Sequence, residues 1–167
     1  MKKLISLSAL IFILSSCGKE SPSRVYREFQ TERELEFIAH QPGDPQIPVV
    51  SEGENLVFKY TYAHEEDKDI ADDELSEIFY LEIPKGSTSF IYDSTKAEEN
   101  GTVNVAYHRS CFCGFSEYGV QKAIISASKI NDNQWQISFD VAFKNQHDQV
   151  YPLKDSGKYN LNTDEYF

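Results

Sequence analysis

VQKAIISASKI, NDN and QWQISFDVAF, read in order from Val120 to Phe143, form the stretch that decides the fold. In its last part Trp135, Ile137, Phe139, Val141 and Phe143 alternate with Gln136, Ser138, Asp140 and Ala142. A period of two sends one set of side chains to each face of a sheet, so this run is a half-buried strand. Asp132-Asn133 suits a two-residue hairpin loop, because both residue types tolerate positive φ better than most. Such a loop predicts Ile130 opposite Trp135, Ser128 opposite Ile137, Ser126 opposite Phe139 and Ile124 opposite Val141. Small residues then lie beneath large ones, as cross-strand packing favours.

Working outward, the same period recurs. Leu56, Phe58, Tyr60 and Tyr62 share a face between Asn55 and Ala63, and Val103, Val105 and Tyr107 share one between Thr102 and Arg109. Ile78 to Ile83 and Ser89 to Asp93 read as shorter strands, with Pro84-Lys85-Gly86 and Glu98 to Gly101 as turns. Leu35 to Ala39 reads as a first strand, preceded by a charged run from Arg24 to Glu34 that reads as a helical turn or irregular lead-in. Pro42, Pro45 and Pro48 mark a loop that cannot be helical. After Phe143 the polar tail holds Val150-Tyr151, one last edge strand. The sum is an all-β antiparallel sandwich of about 7–8 strands, with a small β-barrel as the alternative. Ten tyrosines, eleven phenylalanines and one tryptophan agree with strands over helices.

The N-terminus carries a different kind of signal. Met1-Lys2-Lys3 is basic, and Leu4 to Leu14 is apolar except for Ser6 and Ser8. That run is shorter than the ~20 residues a membrane-spanning helix needs, and has the layout of a secretory signal peptide. It ends in Leu14-Ser15-Ser16-Cys17, which resembles the lipobox of bacterial lipoproteins. The resemblance implies that residues 1–16 are removed and that Cys17 is lipidated and becomes the first residue. Residues 17–23 would then be the lipidated cysteine and a tether, and residues 24–167 a single β-rich domain. Each buried acyl methylene contributes ~0.8 kcal/mol, and the two or three chains of such lipoproteins hold the protein durably on one membrane face. Gly18, where an inner-membrane retention aspartate would stand, points to the outer membrane; periplasmic and surface faces both stay open.

Removing residues 1–16 leaves 151 residues, enough for one domain with a substantial core. It takes away two of the 16 basic residues and none of the 27 acidic ones, so the remaining side chains carry a net charge of −13. A chain this acidic is repelled by nucleic acid and by anionic membrane surfaces, and suits a soluble head held off the bilayer and a basic or cationic partner.

Three groups of residues bear on chemistry. Cys111 and Cys113, with His108 three residues earlier, can form a local disulfide in an oxidising envelope. They can also stay as two quiet thiols, or bind a soft metal or act in redox chemistry with His108. A structural zinc site needs four ligands, so these three are weak metal candidates. The segment from His64 to Glu77 holds eight acids and one lysine. Its spacing departs from a calcium loop of the EF-hand type, with Ala71 and Asp72 where a ligand and a glycine belong. A solvated acidic loop and a different calcium site are the readings left, with Asp72 able to cap one helical turn. No nucleophile elbow, zinc-protease motif, phosphate loop or dinucleotide fingerprint is present, and the four histidines share no motif. No cofactor is expected. The functional expectation is a non-enzymatic, lipid-anchored envelope binding or structural module, contacting a protein through loop 64–77 or loop 114–119. Metal or redox handling by Cys111, Cys113 and His108 is one alternative, and inhibition of a basic secreted enzyme is another.

Overall fold

A computed structural model describes residues 22–39, 41–65, 75–99, 103–111, 116–164 and 167. Residues 1–16, Cys17, Cys113, His40 and the cap at Asp72 lie outside the described residues. Eight strands follow in order: β1 (Arg24–Ile38), β2 (Ile47–Ala63), β3 (Ser76–Pro84), β4 (Ser89–Asp93), β5 (Asn104–Ser110), β6 (Tyr118–Asn131), β7 (Gln134–Asn145) and β8 (Val150–Leu161). A short 3-10 segment, Ser94–Glu99, follows β4.

The strands form one open sheet in the order β4-β6-β7-β8-β1-β2-β3-β5, folded so that its two halves face each other as a β-sandwich. Phe58 of β2 meets Trp135 of β7 at 5.3 Å between ring centroids, Tyr60 meets Phe139 at 5.2 Å, and Phe79 of β3 meets Phe139 at 4.7 Å. All five large residues of the β7 alternation are buried at 2% exposure or less. Burying each such side chain stabilises the fold by ~1.5–3 kcal/mol relative to leaving it in water.

The sheet is mixed rather than wholly antiparallel. β1 and β8 run parallel and pair only at Glu28 with Asn160 and Phe29 with Leu161. The tail therefore supplies a twelve-residue strand between β7 and β1, not an edge strand. Its polar face contributes nothing to a hydrophobic pattern, and Leu153 and Tyr159 alone carry its burial.

Arg24 to Glu34 is strand, not helix or lead-in: β1 pairs with β2 from Arg24 opposite Ala63 to Thr31 opposite Leu56. Its charges sit on exposed or half-buried positions while Phe29 enters the core, so pairing overrides local composition. β2 begins at Ile47 and runs through Pro48, opposite Phe37. β3 starts pairing only at Asn55, so Pro48 has a neighbour on one side and its missing N–H is tolerated there.

The β6/β7 hairpin has the expected two-residue loop, with Asn131 opposite Gln134. Ile130 then bulges out of the ladder, and Lys129 stands opposite Trp135. From there to Lys122 opposite Ala142 each pair differs by one residue from the expected register: Ala127 faces Ile137, Ile125 faces Phe139 and Ala123 faces Val141, before a second shift at Gln121. One inserted residue exchanges the two faces of a strand. Ala123, Ile125 and Ala127 are consequently in the core, while Ser126 and Ser128 face outward.

β1 has a bulge of its own at Glu32, whose φ is +60°, and Arg33 is paired with both Glu52 and Asn55. Beyond it, Leu35 and Val50 join Val57, Tyr80 and Ala106 in a second apolar cluster. Those last three point away from the main core, so the outer half of the β1/β2 hairpin covers the outside of its own sheet. Burial here pushes the Tyr80 hydroxyl up to about 12.

Candidate functional site

One end of the sandwich gathers the residues singled out in the sequence. His64 and Glu77 close the two strands that bracket the acidic segment, and Tyr62 is paired with Glu77. Glu77 accepts a hydrogen bond from the Tyr107 hydroxyl at 2.6 Å, and its other oxygen lies 3.1 Å from His64 Nε2. Burial first, then this bond to Glu77, pushes the Tyr107 hydroxyl well above its ordinary range. Tyr107 stacks on Phe143 at 5.0 Å and meets Tyr118 edge-on at 4.8 Å and Tyr151 at 5.9 Å.

Arg109 is paired with Glu77 across β3 and β5, yet its guanidinium lies 4.9 Å over the Tyr151 ring, and its buried Nε has no hydrogen-bond partner among the described residues. Period two places Tyr107 and Arg109 on the inner face of β5 and His108 on the outer face. Burial lowers the pKa of His108. Cys111 is disulfide-bonded, which removes its thiolate from any ligand set. Among the described residues, no group of three or more His, Cys, Asp or Glu is placed to hold a metal ion, and no helix is long and apolar enough to cross a membrane.

The first strand also begins at this end, since Arg24 is opposite Ala63. From Ala63 to Asn55, β2 runs eight residues, about 26 Å at ~3.3 Å per residue, to the opposite end. There the β1 bulge opens a groove of about 850 Å³ bordered by Glu32, Arg33, Glu52, Glu54 and Lys85. Lys85 Nζ holds Glu32 at 2.8 Å, and Arg33 Nε donates to Gln30 Oε1 at 2.6 Å. Next to it the buried Glu82 accepts bonds from Asn55 at 2.6 Å and Asn104 at 2.8 Å. Glu52 and Glu54 have no such partner among the described side-chain contacts.

The groove is the site the sequence reading missed. Its signal was Gly53 inside a strand and flanked by two glutamates, because an interior strand glycine marks a bulge or a close backbone approach. No protein-family model matches this chain, and no curated protein or solved structure is detectably similar to it.

Proposed function

We propose that this chain is a lipid-anchored, non-enzymatic module of the bacterial envelope that holds a β-sandwich off the outer membrane and presents its far end to a protein partner. The supporting observation is the polarity of the fold. β1 begins at one end, while the groove at Glu32, Arg33, Glu52 and Glu54 opens at the other. With Cys17 acylated, the six residues 18–23 reach at most ~20 Å from the lipid surface. The end holding His64, Glu77 and Cys111 is then the membrane-facing one, and the acidic segment keeps the head from settling on anionic lipid. Loops 64–77 and 114–119 become spacers in this reading, and the partner meets the groove.

Cys17→Ala tests the anchor. The variant is expected to leave the membrane fraction and lose its acyl mass; retention of both would overturn the reading. Glu52→Lys with Glu54→Lys tests the contact end, and should abolish partner binding while membrane attachment is kept.

A second reading, inhibition of a basic secreted enzyme, is favoured by the same glutamates together with the net charge of −11. It predicts a complex that weakens steeply with salt.

A further inference from the structure

β4 ends the sheet on one side, and its outer edge has no strand against it among the described residues. Exposed edges are commonly protected by lysine, proline or a bulge. β4 has none of these: it reads SFIYD and pairs with β6 without a register shift. Ile91 at its centre is 77% exposed, the most exposed large apolar side chain among the described residues.

The ladder fixes which backbone groups face outward. Lys129 N donates to Thr88 O at 2.8 Å, and Thr88 and Lys129 continue the register of Ser89 with Ser128. Hydrogen-bonded and non-bonded pairs alternate in an antiparallel ladder. Phe90 and Tyr92 therefore turn their N–H and C=O toward β6, and Ile91 turns its own away from it.

We propose that β4 pairs antiparallel with β4 of a second copy, about a twofold axis through Ile91. The strand is self-complementary in that register and no other copy-to-copy geometry is needed. Ile91 exchanges two backbone hydrogen bonds with Ile91 of the second copy, and the two exposed side chains cover each other. Phe90 meets Tyr92 of the second copy, an aromatic pair continuing the inner-face row. Ser89 meets Asp93 of the second copy, so the single acid of the strand is opposed by a neutral residue, and Lys96 lies 3.7 Å from Asp93 within each copy. In a chain with a net charge of −11 this edge is thus a place where two copies meet without opposed like charges. The contact is isologous and closes after two copies. A five-residue pairing is smaller than a standard interface of ~1,600 Å², so the dimer forms in a concentration-dependent way.

Sedimentation velocity of the full chain in mild detergent, over a concentration series, tests this. The expected result is a reversible monomer–dimer equilibrium. Ile91→Lys places a charge on an already exposed position and should weaken dimerisation about tenfold or more, with the thermal midpoint unchanged. Ser89→Lys, also exposed, serves if the first variant fails to fold. Lys154→Glu, on the same face but away from the edge, should leave the equilibrium as it was. A chain that stays monomeric up to its solubility limit would overturn the proposal, as would a dimer indifferent to both edge lysines. The inference does not depend on acylation of Cys17.

Discussion

Arg27 of β1 grips Asp155 of β8 through two charge-assisted hydrogen bonds, Nε to Oδ2 at 2.6 Å and Nη2 to Oδ1 at 2.7 Å. The two strands share only two paired positions, so this fork is a main tie across the seam where the halves of the sheet join. Asn162 adds two more bonds, its N–H to Phe29 O at 2.8 Å and its amide to Glu28 at 2.7 Å. The side chains of Arg27 and Asp155 are 29% and 13% exposed, between the surface and buried regimes. Asp155→Ala is therefore expected to cost about 1–3 kcal/mol, less than a fully buried pair because solvent screens Arg27. Urea unfolding measures it; a change under ~0.5 kcal/mol would mean that the seam holds without the fork.

Gly157 lies beneath the same guanidinium. A Cβ there would come within 2.6 Å of Arg27 Nε and 2.7 Å of its Cδ. Because Asp155 pins that side chain, Gly157→Ala should cost about 1–2 kcal/mol, and much less once Arg27 is already alanine. A double-mutant cycle on Arg27 and Gly157 reads the coupling directly. Additive effects would show that the steric conflict is relieved elsewhere.

Gly53 makes a harder contact. Its Cβ would sit 2.7 Å from Glu34 Cβ and 2.9 Å from Glu34 N, and a backbone atom cannot swing away. Gly53→Ala should therefore cost about 2–4 kcal/mol and lift the outer half of the β1/β2 hairpin from Val57 and Tyr80. Faster hydrogen exchange at Leu35 and Val50 than at Phe58 would be the signature, and uniform exchange would argue for global loosening instead.

The faces of β6 give a test of register. Ala123 is fully buried and Ser126 faces outward, so Ala123→Leu should cost about 1–3 kcal/mol by overpacking while Ser126→Leu stays within ~0.5 kcal/mol. The reverse order would restore the register without the Ile130 bulge. The case also shows what local sequence can and cannot carry. Trp135 to Phe143 was legible because five large residues repeat at period two in a strand with neighbours on both sides. The bulge at Ile130 was not, since a hairpin loop of the right length is compatible with either phase and packing against β2 and β3 chooses between them. β8 was hidden because only Leu153 and Tyr159 of its twelve residues are buried, so it shows no apolar alternation although it pairs with its neighbour β7 along its length. The groove was hidden for a related reason: Glu32 and Glu52 come together only through pairing, and each alone reads as a solvated acid. His108, Cys111 and the acidic segment were visible as residue types, but only the alternation of β5 shows that His108 leaves by the opposite face from Arg109.

His108 supplies a pH signature. Burial on the outer face of β5 lowers its pKa from the ordinary 6.5, so the folded state favours the neutral ring. As pH falls below 6.5 the unfolded chain binds this proton before the folded one does, and stability falls with it until the folded pKa is passed. Above 6.5 the contribution is constant. The exposed carboxylates Glu32, Asp132, Asp140 and Asp148 act in a lower window, because lysine partners depress them below the usual carboxylate range. Their stabilisation is present above the unfolded carboxylate pKa and disappears as pH falls through the folded one. Two separate declines are expected in a plot of unfolding free energy against pH, and His108→Gln should flatten the upper one alone. An unchanged slope between pH 5 and 6.5 in that variant would show that His108 does not set the upper decline.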